Sequence, residues 1–289
     1  MIIVRLCGGL GNQLFQYAAG RALSLKNGTE LVLDLSWFRS SPSSNTKREF
    51  ELGCFDIKAS FPTRLQSLFN IVYGSRFFSA LIKRIPLPNF YVENGYNFNP
   101  QFKSLPKSIY LNGYWQSYLY FDGIKDEIRS NLRLKLPMTL AELDAASKIN
   151  NSIAVSLHVR RGDYVTNPSA SNFHGTCTLD YYASAINFMT KRFPEAHFYV
   201  FSDDLEWSRN NLPMSGFNVT YMNQDGLFSA SQDLRLMSIC QHHIIANSSF
   251  SWWGAWLNPN QSKVVIAPKK WFSVKAQPVT LIPRDWILL

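Results

Sequence analysis

The apolar positions at the start of the chain predict a strand, a helix and a second strand. An apolar run at Ile2–Leu6 is followed by glycines, then by helical periodicity over Asn12–Lys26 and by another apolar run at Leu31–Leu35. Strand, helix and strand in this order form a βαβ unit, whose two strands run parallel. We therefore expect the chain to begin with a parallel sheet.

The pattern is less regular between Ser36 and Asn112. Prolines interrupt the periodicity there and divide it into short pieces. We interpret this region as helical but irregular. The interrupting residues are Pro42, Pro62, Pro86, Pro88, Pro100 and Pro106.

A second alternation of strands and helices begins near Asn151. Short strands that alternate with helices are typical of a doubly wound α/β sheet. We therefore predict an α/β protein of two Rossmann-like lobes, residues 1–150 and 151–289, with a linker near Pro137–Asn151 and the active site in the cleft between the lobes. The predicted strands are Ile153–Val159, His197–Phe201, Val219–Met222, His243–Ala246 and Lys263–Ala267, and the predicted helices are Thr178–Arg192, Gln232–Cys240 and Phe250–Leu257.

The size and charge of the chain fit a folded protein that binds an anion. Its 289 residues suffice for two domains, and its net charge of +9 concentrates anionic partners near the surface. No basic stripe with interleaved aromatic residues is present, so we expect no nucleic-acid partner. The four cysteines are scattered without paired spacing, which indicates a reducing compartment. With neither a signal peptide nor an apolar run long enough to span a bilayer, the sequence predicts a cytoplasmic protein.

A glycine-rich loop, Gly8–Leu14, follows the first strand and opens the first helix. Gly9 and Gly11 allow the backbone to approach a ligand, and a helix N-terminus favours anions. The loop is close to a dinucleotide fingerprint, with Asp34 near the position that holds ribose, but a leucine occupies the third glycine position. A tight turn without a ligand is the alternative interpretation. The amide of Asn12 favours a binding site, since a turn does not require it.

A second motif, His158–Tyr164, lies at the carboxyl end of a predicted strand, where ligands bind in open α/β sheets. Strand alternation places His158 and Arg160 on one face and Arg161 on the other. Guanidinium groups at such a position suit a diphosphate, because they form paired hydrogen bonds with phosphate oxygens. Asp163 either orients one arginine or helps to position an acceptor substrate. An arginine–aspartate ion pair that only fixes a turn is the alternative.

A third motif, Asn247–Gly254, leads from a predicted strand into a helix, so hydroxyls and free backbone N–H groups converge there. We interpret it as a second phosphate-binding segment. The alternative is an ordinary serine cap followed by tryptophans that belong to the core. The candidate binding residues are Asn247, Ser248, Ser249, Phe250 and Ser251.

Three aspartates are candidates for recognising a guanine, because a carboxylate can pair with the two donors on the edge of that base. Asp203 and Asp204 end one predicted strand, and Asp233 begins the helix before the third motif. Helix capping is the alternative for each. The sequence contains no Asp-x-Asp, HExxH or paired CxxC, so we expect neither a metal nor a cofactor and assign charge stabilisation to the arginines.

Three segments in this order resemble glycosyltransferase family 11, the α-1,2-fucosyltransferases. They are Gly9–Ala18, His158–Tyr164 and Asn247–Gly254. The resemblance implies a GT-B fold of two lobes, GDP-fucose as donor, and inversion at the anomeric carbon without metal. It also implies that the tail returns to the N-terminal lobe, which binds the acceptor, while residues 151–289 bind GDP-fucose.

The same resemblance suggests roles for individual residues. It implies that Arg160 holds the β-phosphate, that His158 helps to bind the nucleotide, that Asp233 recognises guanine and that Asn12 faces the reacting centre. The glutamate that acts as base in some protein O-fucosyltransferases has no counterpart beside the glycine loop, so the general base is not assigned. The membrane anchor of animal members is also missing, which favours a bacterial enzyme of surface polysaccharide or oligosaccharide synthesis.

These expectations lead to an enzyme that transfers fucose to the 2-hydroxyl of a galactose-terminated glycan. Three alternatives remain: a transferase of the same fold that uses another nucleotide sugar, an NAD-dependent dehydrogenase suggested by the first loop and Asp34, and a non-catalytic sugar-binding module. The basic and apolar stretch between Asp56 and Glu93 also suggests weak peripheral contact with a membrane. The alternative for that stretch is a pair of helices packed on the core.

Overall fold

A computed structural model of the chain describes residues 1–40, 48–62, 89–274, 277 and 279–289. The chain groups into two compact units. The first comprises Met1–Lys135 with Pro278–Leu281, and the second comprises Leu136–Gln277 with Ile282–Leu289. Most of the basic stretch proposed to touch a membrane, residues 63–88, lies outside the described residues, so that hypothesis stays a prediction.

Within the described residues, the first unit contains a parallel sheet of four strands in the order β2-β1-β4-β3. Helix α1 connects β1 to β2, as the apolar pattern predicts, and ends at Gly28, whose φ of 60° is left-handed. The elements of this unit are β1 (Ile2–Arg5), α1 (Leu10–Asn27), β2 (Leu31–Asp34), α2 (Ser36–Ser40), β3 (Asn89–Val92), β4 (Ile109–Asn112) and α3 (Lys125–Asn131), with short 3-10 helices at Leu52–Cys54, Pro100–Ser104, Tyr118–Tyr120 and Asp122–Ile124.

The prediction of an irregular helical region between Ser36 and Asn112 is wrong for part of that stretch. Strands β3 and β4 lie in it and pair in parallel, with Asn89 opposite Ile109. Each strand has only four residues, so an alternation of apolar and polar positions cannot be recognised in it. Tertiary pairing with β1 decides their conformation.

In the part of the chain that the structure describes, the second unit contains a parallel sheet of six strands in the order β10-β9-β8-β5-β6-β7. The predicted order of strands and helices is confirmed, with shifts of a few residues at their ends. The elements are α4 (Leu140–Asn150), β5 (Ile153–Val159), α5 (Gly162–Thr166), α6 (Pro168–His174), α7 (Leu179–Arg192), β6 (Ala196–Ser202), α8 (Leu205–Asn211), β7 (Asn218–Tyr221), α9 (Ala230–Ile239), β8 (His242–Ile244), α10 (Ser249–Leu257), β9 (Val265–Ala267) and β10 (Ile287–Leu288).

Helix α4 occupies most of the segment that was predicted to be a linker. Thr139 and Glu142 form a capping box at its start, in which each side chain bonds the other residue's backbone N–H. Glu142 is fully buried and also accepts hydrogen bonds from Gln232 at 2.8 Å and from Arg235 Nε at 3.0 Å. The helix therefore packs within the second unit, and the division of the chain falls at Lys135, ahead of the predicted boundary at residue 150.

The β5 strand is the centre of the second unit. Six of its seven residues are buried, and it pairs with β6 on one side and β8 on the other. Apolar clusters cover both faces of the sheet, one involving α7 and the other α4 and α9. This burial fixes the carboxyl end of β5, where the second motif begins. Among the described residues, no helix is long and apolar enough to cross a membrane.

Candidate active site

The second unit gathers polar side chains at the carboxyl ends of β5, β6 and β8. His158 lies within β5, Asp203 follows β6, and Asn247 precedes α10. These strands are neighbours in the sheet. Ligands of open parallel sheets bind at this edge, so the second motif, the third motif and the first aspartate pair lie where a ligand site is expected.

Arg160 is held in place by an aspartate and an aromatic ring. Its Nη1 lies 2.9 Å from Asp203 Oδ2, and both side chains remain partly exposed, at 22% and 27%. The guanidinium carbon also lies 5.4 Å from the centre of the Tyr164 ring. The result is a fixed cation with access to solvent, which suits a phosphate ligand.

Gly162 explains how one carboxylate can hold this turn. A β-carbon at residue 162 would lie 2.4 Å from Asp203 Oδ2, so any other residue there would displace this carboxylate from its present position. The space allows Asp203 to accept a 2.8 Å hydrogen bond from the Arg161 backbone N–H while its other oxygen binds Arg160. Asp203 therefore positions the arginine motif, so a direct contact with a ligand is not needed to explain its presence.

Arg161 lies in different surroundings from Arg160. Its Nε bonds Asp204 Oδ2 at 3.2 Å, and its guanidinium lies 3.9 Å from the centre of the Trp207 ring. Asp204 also caps α8, since Oδ1 accepts the Trp207 N–H at 3.1 Å. The capping alternative is thus confirmed for Asp204, and both side chains already have structural partners. The side chain of Asp163 lies outside the described part of the structure, so its role stays a prediction.

His158 is a buried, neutral imidazole beside Arg160. Its side chain packs against Phe250, with ring centres 5.5 Å apart. Burial and the positive charge of Arg160 lower the pKa of His158 to about 3, so the ring is uncharged at neutral pH. Its Nδ1 has no hydrogen-bond partner among the described residues. A neutral imidazole with an unpartnered nitrogen can bind a polar group of a ligand.

Two polar residues of the third motif have structural partners inside the protein. The Asn247 amide donates to the carbonyls of His174, Gly175 and Trp271 at 3.0, 3.1 and 3.2 Å, and its side chain is buried. Ser251 is also buried, and its hydroxyl lies 3.3 Å from the Ala246 carbonyl. Both side chains therefore donate their hydrogen bonds inside the protein, and their predicted contact with the sugar nucleotide stays a prediction.

The start of α10 fits the capping interpretation and also leaves groups near the surface. Ser248 Oγ accepts the Phe250 N–H at 3.3 Å, so this serine caps the helix. Ser249 and Phe250 are half-buried, and Phe250 lies against His158. Trp252 and Trp253 are fully buried, which confirms that they belong to the core.

Asp233 has a buried oxygen that no described residue satisfies. Its Oδ2 accepts a 3.2 Å bond from Asn223 Nδ2, whereas Oδ1 is without a partner in the described part of the chain. Burial raises the pKa of Asp233 to about 7. Asn223 itself has a left-handed φ of 55° and bonds the Phe228 backbone, which fixes the adjoining loop. A ligand with N–H donors would satisfy the open oxygen.

In the first unit, the glycine loop is closed by its own side chains. Gly8 has a φ of 75°, which favours glycine, and a β-carbon there would lie 2.6 Å from Asn12 Nδ2. Gln116 Nε2 donates to Asn12 Oδ1 at 2.7 Å, which fixes the orientation of the Asn12 amide. The Leu10 N–H bonds the Glu51 carboxylate, so a protein carboxylate already occupies the start of α1.

These contacts also decide the roles of neighbouring residues. Gly9 is the N-terminal residue before α1, and Gly11 is buried in the first turn. Asp34 is buried and accepts hydrogen bonds from the Ser36 backbone at 3.0 Å and from Tyr110 Oη at 2.5 Å. Because Asp34 serves as an internal acceptor, the feature that suggested a dehydrogenase has a structural explanation.

One further residue, Glu93, was not predicted from the sequence as a candidate for the site. It follows β3, and its Oε2 accepts the backbone N–H groups of Tyr114 at 2.7 Å and Trp115 at 2.9 Å. Burial raises the pKa of this carboxyl group. A single glutamate in a region without clear periodicity carries no recognisable motif, and its partners lie in a turn that only the fold brings near.

Clusters of His, Cys, Asp and Glu that could hold a metal ion are not found among the described residues. The adjacent His242 and His243 lie in β8, all three residues of which are buried. His243 Nδ1 lies 2.7 Å from Ser156 Oγ, and its Nε2 lies 2.8 Å from Asn258 Nδ2. Both nitrogens of His243 therefore have partners inside the protein.

Comparison with known proteins gives consistent results. The model of glycosyl transferase family 11 matches residues 78–286. An O-antigen biosynthesis glycosyltransferase, WbnK of Escherichia coli, is 37% identical over 93% of this chain and 94% of its own length. An α-1,2-colitosyltransferase of Escherichia coli is 34% identical over 99% of this chain and 98% of its own. The galactoside 2-α-L-fucosyltransferase Sec1 of Mus musculus is 25% identical over 99% of this chain and 73% of its own.

A solved structure supports the fold. A mutant of Arabidopsis thaliana FUT1 in complex with GDP aligns with a TM-score of 0.51 and 12% identity, over 98% of this chain and 74% of that one. The α/β class with parallel sheets and the GT-B architecture are thereby confirmed. With a family match over most of its length and relatives above 30% identity along nearly all of it, the chain belongs to glycosyl transferase family 11.

Proposed function

We propose that the protein transfers L-fucose from GDP-fucose to the 2-hydroxyl of a galactose-terminated glycan, with inversion and without a metal. Membership of glycosyl transferase family 11 supports glycosyl transfer. The names of the Escherichia coli and mouse relatives support a 1,2-linkage and a sugar of the fucose type. The GDP complex of the Arabidopsis protein, at 12% identity, supports only the shared fold.

The observation that carries this proposal is the fixed guanidinium of Arg160 at the carboxyl end of β5. Asp203 and Tyr164 hold it, and 22% of its side-chain surface is exposed to solvent. A diphosphate that leaves during transfer gains negative charge, and a preorganised cation stabilises that charge without reorganising. In the absence of a bridging cation, Arg160 supplies the positive charge for the departing GDP.

The other residues of the second unit would hold the nucleotide. His158, which is neutral, offers an unpartnered Nδ1, and Asp233 offers an open oxygen to the N–H donors of guanine. The half-buried Ser249 lies at the start of α10, where the helix N-terminus favours an anion. We assign GDP binding to the second unit and acceptor binding to the first, which carries Asn12.

The reaction would be a single displacement. The acceptor 2-hydroxyl oxygen bonds the anomeric carbon, while the bond from that carbon to the β-phosphate oxygen breaks and its electron pair leaves with GDP. Arg160 stabilises the leaving group, and Asn12 helps to orient the reacting sugar. Because attack and departure occur on opposite faces, the configuration at the anomeric carbon inverts.

Colitose is a second candidate for the transferred sugar, since a relative that is 34% identical over 99% of this chain bears the name colitosyltransferase. Colitose is L-fucose without the 3-hydroxyl. A site that hydrogen-bonds this hydroxyl rejects the deoxy sugar by about 10⁴- to 10⁵-fold, whereas an apolar pocket discriminates far less. The two donors are therefore separable by their kcat/KM values.

The test is a transfer assay with GDP-fucose, GDP-colitose and GDP-mannose on a galactose-terminated acceptor, with the product linkage determined by NMR. We expect an α-1,2-linked product from GDP-fucose and none from GDP-mannose. A product from GDP-colitose alone would assign the second candidate. Transfer from GDP-mannose, or a linkage to another hydroxyl, would contradict the proposal.

A further inference from the structure

Glu93 lies at the carboxyl edge of the first unit's parallel sheet, the edge at which open α/β sheets bind ligands. It follows directly on β3, and the turn that begins at Gly113 follows β4. The glycine loop follows β1. Because these strands are parallel, all three segments lie at the carboxyl edge. Gln116, in the turn after β4, contacts Asn12 of the glycine loop at 2.7 Å.

One oxygen of the Glu93 carboxylate fixes the turn, and the other is open. Oε2 accepts the N–H groups of Tyr114 and Trp115, and Trp115 has a left-handed φ of 56°. A β-carbon on Gly113 would lie 2.4 Å from the β-carbon of Glu93, so the glutamate lies directly against the turn. Oε1 accepts no hydrogen bond from the residues that the structure describes.

Other carboxylates of the first unit are already in use. Asp34 accepts from Ser36 and Tyr110. Glu51 accepts the Leu10 N–H and is stabilised by the charge of Arg48. Glu93 differs from both in that one of its oxygens is fixed by two backbone N–H groups of a single turn, while the other accepts no hydrogen bond from the described residues.

The surroundings of Glu93 favour proton uptake. Burial raises its pKa. The titratable groups that face it are the Cys7 thiol after β1 and the phenols of Tyr114 and Tyr120, and burial raises the pKa of each of these as well. All three are therefore neutral near pH 7. The positive charge of this neighbourhood is Arg5 of β1, which acts on Cys7 and Tyr114 and whose Nη1 donates to Asn112 Oδ1 at 3.4 Å.

We propose that Glu93 is the general base that deprotonates the acceptor hydroxyl. This inference rests on the proposed function. Oε1 takes the proton of the 2-hydroxyl as its oxygen bonds the anomeric carbon and the electron pair of the broken bond leaves with GDP. The neutral carboxylic acid then returns the proton to water. Oε2 keeps its two backbone hydrogen bonds throughout, so the base stays in place.

The discriminating variant is Glu93→Gln. The amide oxygen of glutamine can accept both backbone N–H groups, so the turn is kept, but the side chain cannot take a proton. General base catalysis contributes about 10²- to 10⁴-fold, and we expect a loss of that size in kcat. GDP affinity by calorimetry and the thermal midpoint should stay near the wild-type values. At saturating donor, the acidic limb of the wild-type kcat profile should disappear in the variant, whereas a dependence of kcat/KM on the ionisation of Asp233 should remain.

Glu93→Ala with azide provides an independent measurement. Azide is an anionic nucleophile that needs no base, so it should form a glycosyl azide and restore GDP release. Near-wild-type kcat in Glu93→Gln would overturn the proposal and leave a purely structural role for the glutamate. Loss of transfer in Glu51→Gln with none in Glu93→Gln would move the base to Glu51. Failure of the wild-type protein to transfer any of the three donors would instead contradict the proposed function.

Discussion

Arg160 and Arg161 are adjacent in sequence but differ in what they contact. Arg160 pairs with Asp203 and lies against the Tyr164 ring, whereas Arg161 pairs with Asp204 and stacks on Trp207; the two side chains are similarly exposed, at 22% and 20%. The strand alternation predicts opposite faces for the two arginines, and in the structure each contacts its own carboxylate and its own aromatic ring.

We expect Arg160→Ala to lower kcat/KM by about 10²- to 10³-fold, because a fixed donor to the developing charge is removed. Arg160→Lys should recover little, since an ammonium lacks the paired geometry of guanidinium. Arg161→Ala is the matched control and should lower stability more than catalysis. Steady-state kinetics and thermal unfolding measure the two effects. Retention of more than about half the wild-type kcat/KM in Arg160→Ala would exclude its assigned role.

Asp233 links ligand recognition to stability. Its pKa is raised from 3.8 to about 7 in the folded chain. Between these values the unfolded chain releases the proton while the folded chain keeps it, so the contribution to stability is complete below pH 3.8 and is lost as the pH rises through about 7. Asp233→Asn cannot ionise, so its free energy of unfolding should not fall between pH 5 and pH 8, whereas that of the wild-type protein should fall.

The same substitution should weaken GDP binding by about tenfold or more, since the single oxygen of an amide cannot both accept from Asn223 and present an acceptor to guanine. In the wild-type protein, GDP affinity should increase from pH 6 to pH 8 as Asp233 ionises. Calorimetry at both pH values measures these effects. Unchanged GDP affinity in Asp233→Asn would transfer guanine recognition to Asp203 or Asp204.

At the scale of elements, α4 is held in the second unit by hydrogen bonds at its N-terminus. Its capping box satisfies backbone donors at the helix start, and Glu142 also binds α9 through Gln232 and Arg235. One carboxylate thus connects the cap of α4 to the packing of α9.

Thr139→Ala should lower the free energy of unfolding by about 1 kcal/mol, because an N-cap hydrogen bond is lost. Since the cap residues bond one another and α9, and none of these hydrogen bonds involves Arg160 or His158, kcat should change little. Denaturant unfolding and kinetics test this expectation, with Ser215→Ala at an exposed position as the control. A large loss of kcat without a loss of stability would show that α4 takes part in the reaction.

At the scale of the whole molecule, the positive net charge of +9 fits an anionic donor such as a nucleotide diphosphate sugar. Charge stabilisation by protein groups, rather than by a bridging cation, makes a direct prediction. Transfer should persist after treatment with EDTA and should not increase when Mn²⁺ is added back. Loss of activity on chelation, restored by Mn²⁺, would contradict the metal-independent mechanism.

The sequence by itself determined the α/β class, the order of most strands and helices in the second unit, and the location of the arginine motif at a strand end. These features follow from local periodicity and from the chemistry of strand ends, which need only nearby residues. Three of the elements that were not predicted have weak sequence signals. Strands β3 and β4 are very short, and only the pair Thr139 and Glu142 indicates the start of α4.

Only the tertiary structure decided which polar side chains are already satisfied and which remain open. Asn247 bonds His174, 73 residues away, and Glu93 bonds the turn 21 and 22 residues further along the chain. Asp34 bonds Tyr110 across 76 residues. A polar side chain is available to a ligand only if folding brings it no internal partner, and partners this distant in sequence leave no local pattern. Asp233 Oδ1 and Glu93 Oε1 have no hydrogen-bond partner among the described residues, and this is therefore a property of the fold.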